Sequence, residues 1–312
     1  MNKKIALVVL LVFTIIFAGN GCTTDSQINI TNVESKYIHI SFDDVSKSIK
    51  NLAQNDYSSV WDEPFFKELK SLHEKYKAKF SLYLFLDSDI CECGGKYQAQ
   101  LKNTGDWLKF GLHAESADGS YANSTYTQGL NDWDNFVKDI INFTGSEDSV
   151  DRVPRLQGFS GSRECLMGMR DAKVGAIGFL TADDSRESYY LTSEQSELAK
   201  TSGYYKDAKT GLCFVTTDMR GDWFGKNFTS EYDYDKPTES DVYSELEYRP
   251  LNSEYDYKTC AYIWFCHEWN IYDGKKLNKN KEHLEDVCRF ANDYNISFDY
   301  PQFRFNGEYN AP

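Results

Sequence analysis

The chain has 312 residues, 41% of them hydrophobic and 15% aromatic, with a formal net charge of -14. That length and apolar share suffice for one sizeable core. The acidic excess is interspersed rather than blocked, so it reads as a solvated surface and excludes a general attraction for nucleic acid or an anionic membrane surface.

Met1-Asn2-Lys3-Lys4 is a positive start, and Ile5 to Ala18 is an apolar run. The run is short for a membrane span and right for the apolar part of a signal peptide. Small residues then lead to Cys22. This resembles a bacterial lipoprotein signal, in which Cys22 would carry lipid and begin the mature protein. Gly19 stands where such signals usually have Leu; simple secretion or an uncleaved anchor are the alternatives. The expected organisation is a signal over residues 1–22, a polar tether over 23–36 and one domain over 37–312. The expected location is outside the cytoplasm, on the cell membrane through a lipid anchor, or secreted.

Tyr37-Ile38-His39-Ile40-Ser41-Phe42-Asp43-Asp44-Val45 reads as a strand that ends in two adjacent carboxylates. Successive strand residues face opposite ways, so the pair shares one site only if the chain turns there. One carboxylate could then hold a cation while the other acts as a base; a helix cap or Asx turn is the alternative. Ser46 to Asp56 reads as a polar loop. Glu63 to Lys77 has helical spacing, with His73 on its surface. Ala78 to Leu86 is a continuous apolar strand of the kind buried on both faces of a parallel sheet. A loop follows to Gly95, then a short helix to about Leu101.

Asp106 to His113 reads as a strand and Tyr126 to Phe143 as an amphipathic helix. Val153 to Phe159 reads as a strand, Arg163 to Lys173 as a helix, and Val174 to Thr181 as a strand. The Asp183-Asp184 pair falls in the next loop, where capping is its expected use. Ser188 to Leu191 and Leu212 to Met219 read as strands, with a helical turn at Ser193–Lys200 between them. Residues 220–238 form an irregular insertion, and Asp241–Leu246 a short helix. Lys258 to Trp269 is a strand, Lys279 to Asn295 a helix, and Ile296 to Tyr300 a last strand. This alternation predicts an α/β fold with a parallel sheet. Asp43, Asp44, His113 and His267 then all fall at the C-terminal ends of strands, where such folds carry their sites.

Eight cysteines are present. With Cys22 lipidated, an odd number remains, so at least one thiol is free. Cys91-Glu92-Cys93 is too tight for an ordinary zinc knuckle. The 22 Tyr, 20 Phe and 6 Trp are compatible with a carbohydrate site, although most are expected in the core and on an ordinary surface.

Ser41-Phe42-Asp43-Asp44 resembles the opening T-F-D-D segment of the NodB-homology polysaccharide deacetylases, a carbohydrate esterase family. Trp107-Leu108-Lys109-Phe110-Gly111-Leu112-His113 resembles its second motif. Tyr262-Ile263-Trp264-Phe265-Cys266-His267-Glu268 resembles its last. The resemblance runs over about residues 35–302. It implies an irregular (β/α) barrel and a metal-dependent hydrolase that removes N- or O-acetyl groups from a carbohydrate. It also implies roles: Asp43 as base, Asp44 and His113 as metal ligands, His267 as acid, with Glu268 placed to orient it. Arg155, in Pro154-Arg155-Leu156, matches the family's Arg that orients the base.

The family's second histidine ligand is replaced here by Ala117. Glu115 is the expected substitute, and Asp118, Gln157 and Asp218 are further candidates. Such a set suits zinc first, with manganese, cobalt or iron as alternatives. A catalytically degenerate relative that binds glycan without turning it over is the other reading that Ala117 allows.

Overall fold

The computed structural model describes residues 37–182, 186–223 and 261–304. The signal, the lipid-bearing Cys22, the tether, the Asp183-Asp184 pair, the insertion beyond residue 223 and the Asp241–Leu246 helix lie outside the described residues. In chain order the elements are β1 (Tyr37–Asp43), α1 (Lys47–Gln54), α2 (Pro64–Tyr76), β2 (Phe80–Phe85), α3 (Ile90–Cys93), α4 (Gln98–Leu101), β3 (Leu108–Ala114), α5 (Tyr126–Thr144) and α6 (Arg163–Asp171). They continue with β4 (Gly178–Thr181), α7 (Ser193–Ser202), β5 (Tyr204–Lys206), β6 (Cys213–Thr216), β7 (Met219–Arg220), β8 (Ala261–His267), α8 (Glu268–Ile271), α9 (Lys281–Asp293) and β9 (Ser297–Phe298).

The fold is α/β with a mostly parallel central sheet. Strand β1 lies at its middle, parallel to β2 on one side and β8 on the other. Strand β3 extends the sheet beyond β2, β7 extends it beyond β8, and β9 pairs with the start of β1. Buried on both faces, these strands need no polar alternation: every residue of β2 and all but the first of β1 are buried. Helix α2 lays Phe65, Phe66, Leu69 and Leu72 against the sheet, each burial contributing about 1.5–3 kcal/mol. Phe42 meets Phe65 edge-on at 5.2 Å and Trp264 at 6.1 Å, which ties β1, α2 and β8 into one core.

Strands β4, β6 and β5 form a second sheet, so the described strands make two ladders rather than one closed barrel. The chain between them explains the break. Val153 to Phe159, expected as a strand, forms no ladder. Asp151 donates its N–H to Phe110, and Ile177 and Leu180 donate theirs to Arg152 and Pro154, so the segment runs extended between β3 and β4. Pro154 has no N–H to return. Gln157–Phe159 then closes into a 3-10 turn around Gly158, whose φ is 62°.

Two other expectations are corrected. The segment from Ser46 is not a loop but contains α1, for a reason given below. Ser188 to Leu191 forms a turn and no strand. Cys91, Cys93, Cys165, Cys213, Cys266 and Cys288 are all free thiols, so no disulfide joins the described residues.

Candidate active site

Strand register brings the site together. Asp43 of β1 pairs directly with His267 of β8, and His113 lies near the end of β3, two strands away on the other side of β1. Asp44 follows Asp43 with φ at 55°. That left-handed turn, which Asp tolerates better than most residues, is what lets two adjacent carboxylates reach one site.

Asp43 is buried and held by Arg155, whose Nη1 donates to Asp43 Oδ1 at 2.9 Å and to Ser41 Oγ at 3.1 Å. Nη2 donates to Thr217 Oγ1 at 3.1 Å, and the guanidinium lies 4.1 Å from the centre of the Phe265 ring. Arg155 is only 1% exposed. These contacts fix the orientation of the Asp43 carboxylate.

Asp44 lies between two imidazoles. His113 Nε2 is 3.3 Å from Asp44 Oδ1, and His267 Nε2 is 3.9 Å from Asp44 Oδ2. Each ring has its other nitrogen engaged behind it. His113 Nδ1 is 2.6 Å from the backbone carbonyl of Arg155. A carbonyl only accepts, so Nδ1 carries a proton, and Nε2 is the nitrogen that faces Asp44, as a donor when it too is protonated and as a lone pair when it is not. His267 Nδ1 is 2.5 Å from Asp222 Oδ2. Burial works to raise the Asp44 carboxyl, but the hydrogen bond from His113, the charges of His113 and His267 and the indole N–H of Trp269 outweigh it and hold its pKa below the ordinary value. Burial works to lower His267, but the Asp222 hydrogen bond and charge, with Asp43 and Asp44 behind, outweigh it and raise its pKa above 6.5.

Asp222 is the residue that sequence reasoning missed. It sits just past β7, where Gly221 lets the chain pass the Trp264 ring at a distance no side chain would fit. Its Oδ1 accepts the backbone N–H of His267 at 3.0 Å and the thiol of Cys266 at 3.1 Å. Asn270 in turn donates to Cys266 Sγ at 3.3 Å. A signal was present: a carboxylate just after a strand end, the same pattern that singled out Asp43. Glu268, expected to orient His267, turns away from it. Its carboxylate accepts the N–H groups of Ser46, Lys47 and Ser48 at 3.1, 2.8 and 2.9 Å. It caps α1, whose own N-cap Ser46 makes no side-chain cap.

Asp44 and His113 fit two positions around a divalent ion. With bonds of about 2 Å, two ligands of a tetrahedral ion stand roughly 3.3 Å apart, and the Nδ1 bond to a carbonyl is the support usual behind a metal-ligating histidine. The third position differs. Among the described residues no three His, Cys, Asp or Glu side chains form a group able to hold an ion. Glu115 is exposed, and its charge acts on Tyr121 and Asp132. Asp118 is exposed as well. Gln157 donates to the Ala117 carbonyl at 2.5 Å, and Asp218 accepts the N–H of Ile263 at 2.7 Å.

No family model and no curated protein matches the chain. Among solved structures, one from Mycobacterium smegmatis, itself only provisionally assigned as a polysaccharide deacetylase, is similar over 89% of this chain and 92% of its own, at 9% identity and a TM-score of 0.49. That likeness is too loose to assign a family or an activity.

Proposed function

We propose that this protein is a hydrolase that removes N- or O-acetyl groups from a carbohydrate. The observation that carries the reading is the placement of Asp44 between His113 and His267, each presenting Nε2 to one of its two oxygens, beside an Asp43 fixed by Arg155. Acyl transfer to water needs a base, an acid and a positive centre at the carbonyl. Asp43 accepts the proton of the attacking water. His267, charged through its bond to Asp222, gives its Nε2 proton to the leaving amine or alcohol. Arg155 holds Asp43 in place and, through its carbonyl, sets the tautomer of His113. A divalent ion, zinc first and manganese, cobalt or iron next, would be held by Asp44 and His113, and when bound it supplies polarisation of the acyl carbonyl and acidification of water.

The test is acetate release from acetylated oligosaccharides by purified protein, with zinc supplied and with a chelator, against Asp43→Asn. Release by wild type and its loss in the variant are expected. A second reading, a glycan-binding protein without turnover, is favoured by the missing third donor at Ala117. Sugar binding with no acetate release under any metal would select it.

We also propose export and membrane tethering through lipid on Cys22, on the strength of the Lys-rich start and apolar run. Among the described residues no helix is long and apolar enough to cross a membrane. Cys22→Ala should leave the membrane fraction or stay unprocessed; fractionation identical to wild type would count against the anchor.

A further inference from the structure

Two segments far apart in sequence meet beside His267, and both are basic. Helix α1 carries Lys47 and Lys50, with no acidic residue from Val45 to Gln54. The turn after α8 carries Lys275, Lys276 and Lys279, with Lys281 opening α9, against Asp273 and Glu282. The backbone fixes how the segments meet. Lys47 donates its N–H at 2.8 Å to Glu268, the residue after His267. Gly274 lies beside the Lys47 side chain, and the charges of Lys276 and Lys47 both act on Asp273. The turn is tied down on α8. Asn278 donates its N–H to Ile271 at 2.9 Å, and the side chains of Asn278 and Asn280 donate to the Asn270 carbonyl at 2.7 and 2.9 Å.

Lys50, Lys275, Lys276 and Lys279 are exposed and Lys47 partly so. Lys281 pairs with Glu68 at 3.6 Å; among the described residues the other five make no ion pair. The chain has 48 acidic side chains against 34 Lys and Arg, so unpaired lysines gathered in one place invert its general sign there. Like charges held together repel, a cost that a bound anion removes. Their place matters too. Strands β1 and β8 run parallel and end together at Asp43 and His267, and α1 and α8 start just beyond them. At that same end of the sheet the Asp44 side chain is 29% exposed, so the candidate site opens beside the lysines. A flat anionic membrane would cover that opening. A polyanionic sugar chain would not, because neighbouring units can spread over flexible ammonium groups while one unit enters.

We propose that the substrate is an anionic polysaccharide: Lys47, Lys50, Lys275, Lys276 and Lys279 hold carboxylate or phosphate groups along the chain while one of its acetylated units reaches Asp44 and His267. The proposal rests on the hydrolase reading for its kinetics but not for its binding. The probes are octagalacturonate for carboxylates, poly(glycerol phosphate) for phosphates and xylo-octaose as the neutral control. The test variant of the full chain combines Lys275→Gln, Lys276→Gln and Lys279→Gln, which removes three charges and keeps every backbone N–H that the turn uses.

Calorimetric titration at low salt should show wild type binding at least one polyanion more tightly than xylo-octaose, and which one it binds names the anionic group. The triple variant should bind that polyanion about 10-fold more weakly, with its melting temperature unchanged and its binding of the neutral sugar unaltered. In 1 M salt, where the screening length is about 3 Å, the two proteins should bind it equally. Acetate release should follow the same order, the triple variant losing kcat/KM on acetylated galacturonan and not on acetylated xylan. Binding of neither polyanion by wild type, or equal binding by wild type and the triple variant at low salt, would overturn the proposal. So would a triple variant that loses affinity for phosphatidylglycerol vesicles alone, which would turn the lysines toward a membrane. A wild type that binds a polyanion through these lysines yet releases no acetate from either polymer would sink the hydrolase reading and leave the anionic rim standing.

Discussion

The backbone carbonyl of Arg155 lies 2.6 Å from Nδ1 of His113, so one residue governs both sides of the site: its side chain fixes Asp43 and its main chain fixes the ring that faces Asp44. Two lone-pair donors, His113 Nε2 and Asp44 Oδ1, then point at one another, an arrangement stable only with positive charge between them or on the ring. His113→Ala should therefore lower zinc affinity by about 100-fold or more. Ala117→His, which restores a third donor where the resemblance places one, should raise it. Chelator competition and elemental analysis measure both. If neither wild type nor Ala117→His takes up zinc, the metal assignment fails.

Cys266 has a role of its own in this arrangement. Its thiol donates to Asp222 Oδ1. Cys266→Ala leaves that carboxylate one donor short and more basic, so it holds the His267 proton more tightly. The alkaline limb of the kcat profile should move up by about half a pH unit, the worth of one modest hydrogen bond, and Cys266→Ser should move it back. An unmoved limb in a folded Cys266→Ala protein would make the thiol mere packing.

His267→Ala should cost about 100- to 10,000-fold in kcat and leave zinc binding intact. The pKa of His267 is raised in the fold. Its acid form is therefore retained above pH 6.5, and kcat should fall only as pH rises through the raised value. The same sign holds for stability: the gain from its ion pair is fully present below the unfolded pKa and is lost as pH rises through the folded one. Asp222→Asn should move the alkaline limb down, opposite to Cys266→Ala. Normal kcat per folded molecule in His267→Ala would show that the acid is another residue.

Arg155→Met should leave Asp43 buried without its cation, at a cost of about 3–5 kcal/mol. Adding Asp43→Asn should recover part of that loss, because the two residues share one interaction. Urea unfolding of the two single variants and the double one measures the coupling. Additive losses would mean that the 2.9 Å contact contributes little.

The sheet was legible wherever burial left a local trace. Phe80–Phe85 and Leu108–Ala114 are buried almost throughout, and a continuous apolar run says so directly. Helix α2 was legible because Glu63, Pro64 and the Phe65–Leu72 spacing lie within one window. Helix α1 was not, because its cap comes from Glu268 across the fold; read locally, its polar residues describe a loop. Val153 to Phe159 was misread because its apolar residues Val153, Leu156 and Phe159 report burial while Pro154 withholds the ladder. At the candidate site, the strand-end rule singled out Asp43, Asp44, His113 and His267, which the fold brings together. It missed Asp222 because β7 is two residues long. Glu115 was singled out by nearness in sequence, and in the fold that nearness leads to solvent.

The bond from Glu268 to Ser46 spans 222 residues, and it has a consequence in time. During synthesis the carboxylates of β1 emerge long before His267 and Glu268, which complete their surroundings. Until β8 docks, α1 lacks its cap and Asp43 lacks its neighbour His267. A chain cut short before Glu268 is therefore expected to be inert rather than partly active, which acetate release by such a fragment would check. On the proposed reading, the β8–α8 unit acts as a completion signal: the hydrolase is assembled only once Glu268 has capped α1.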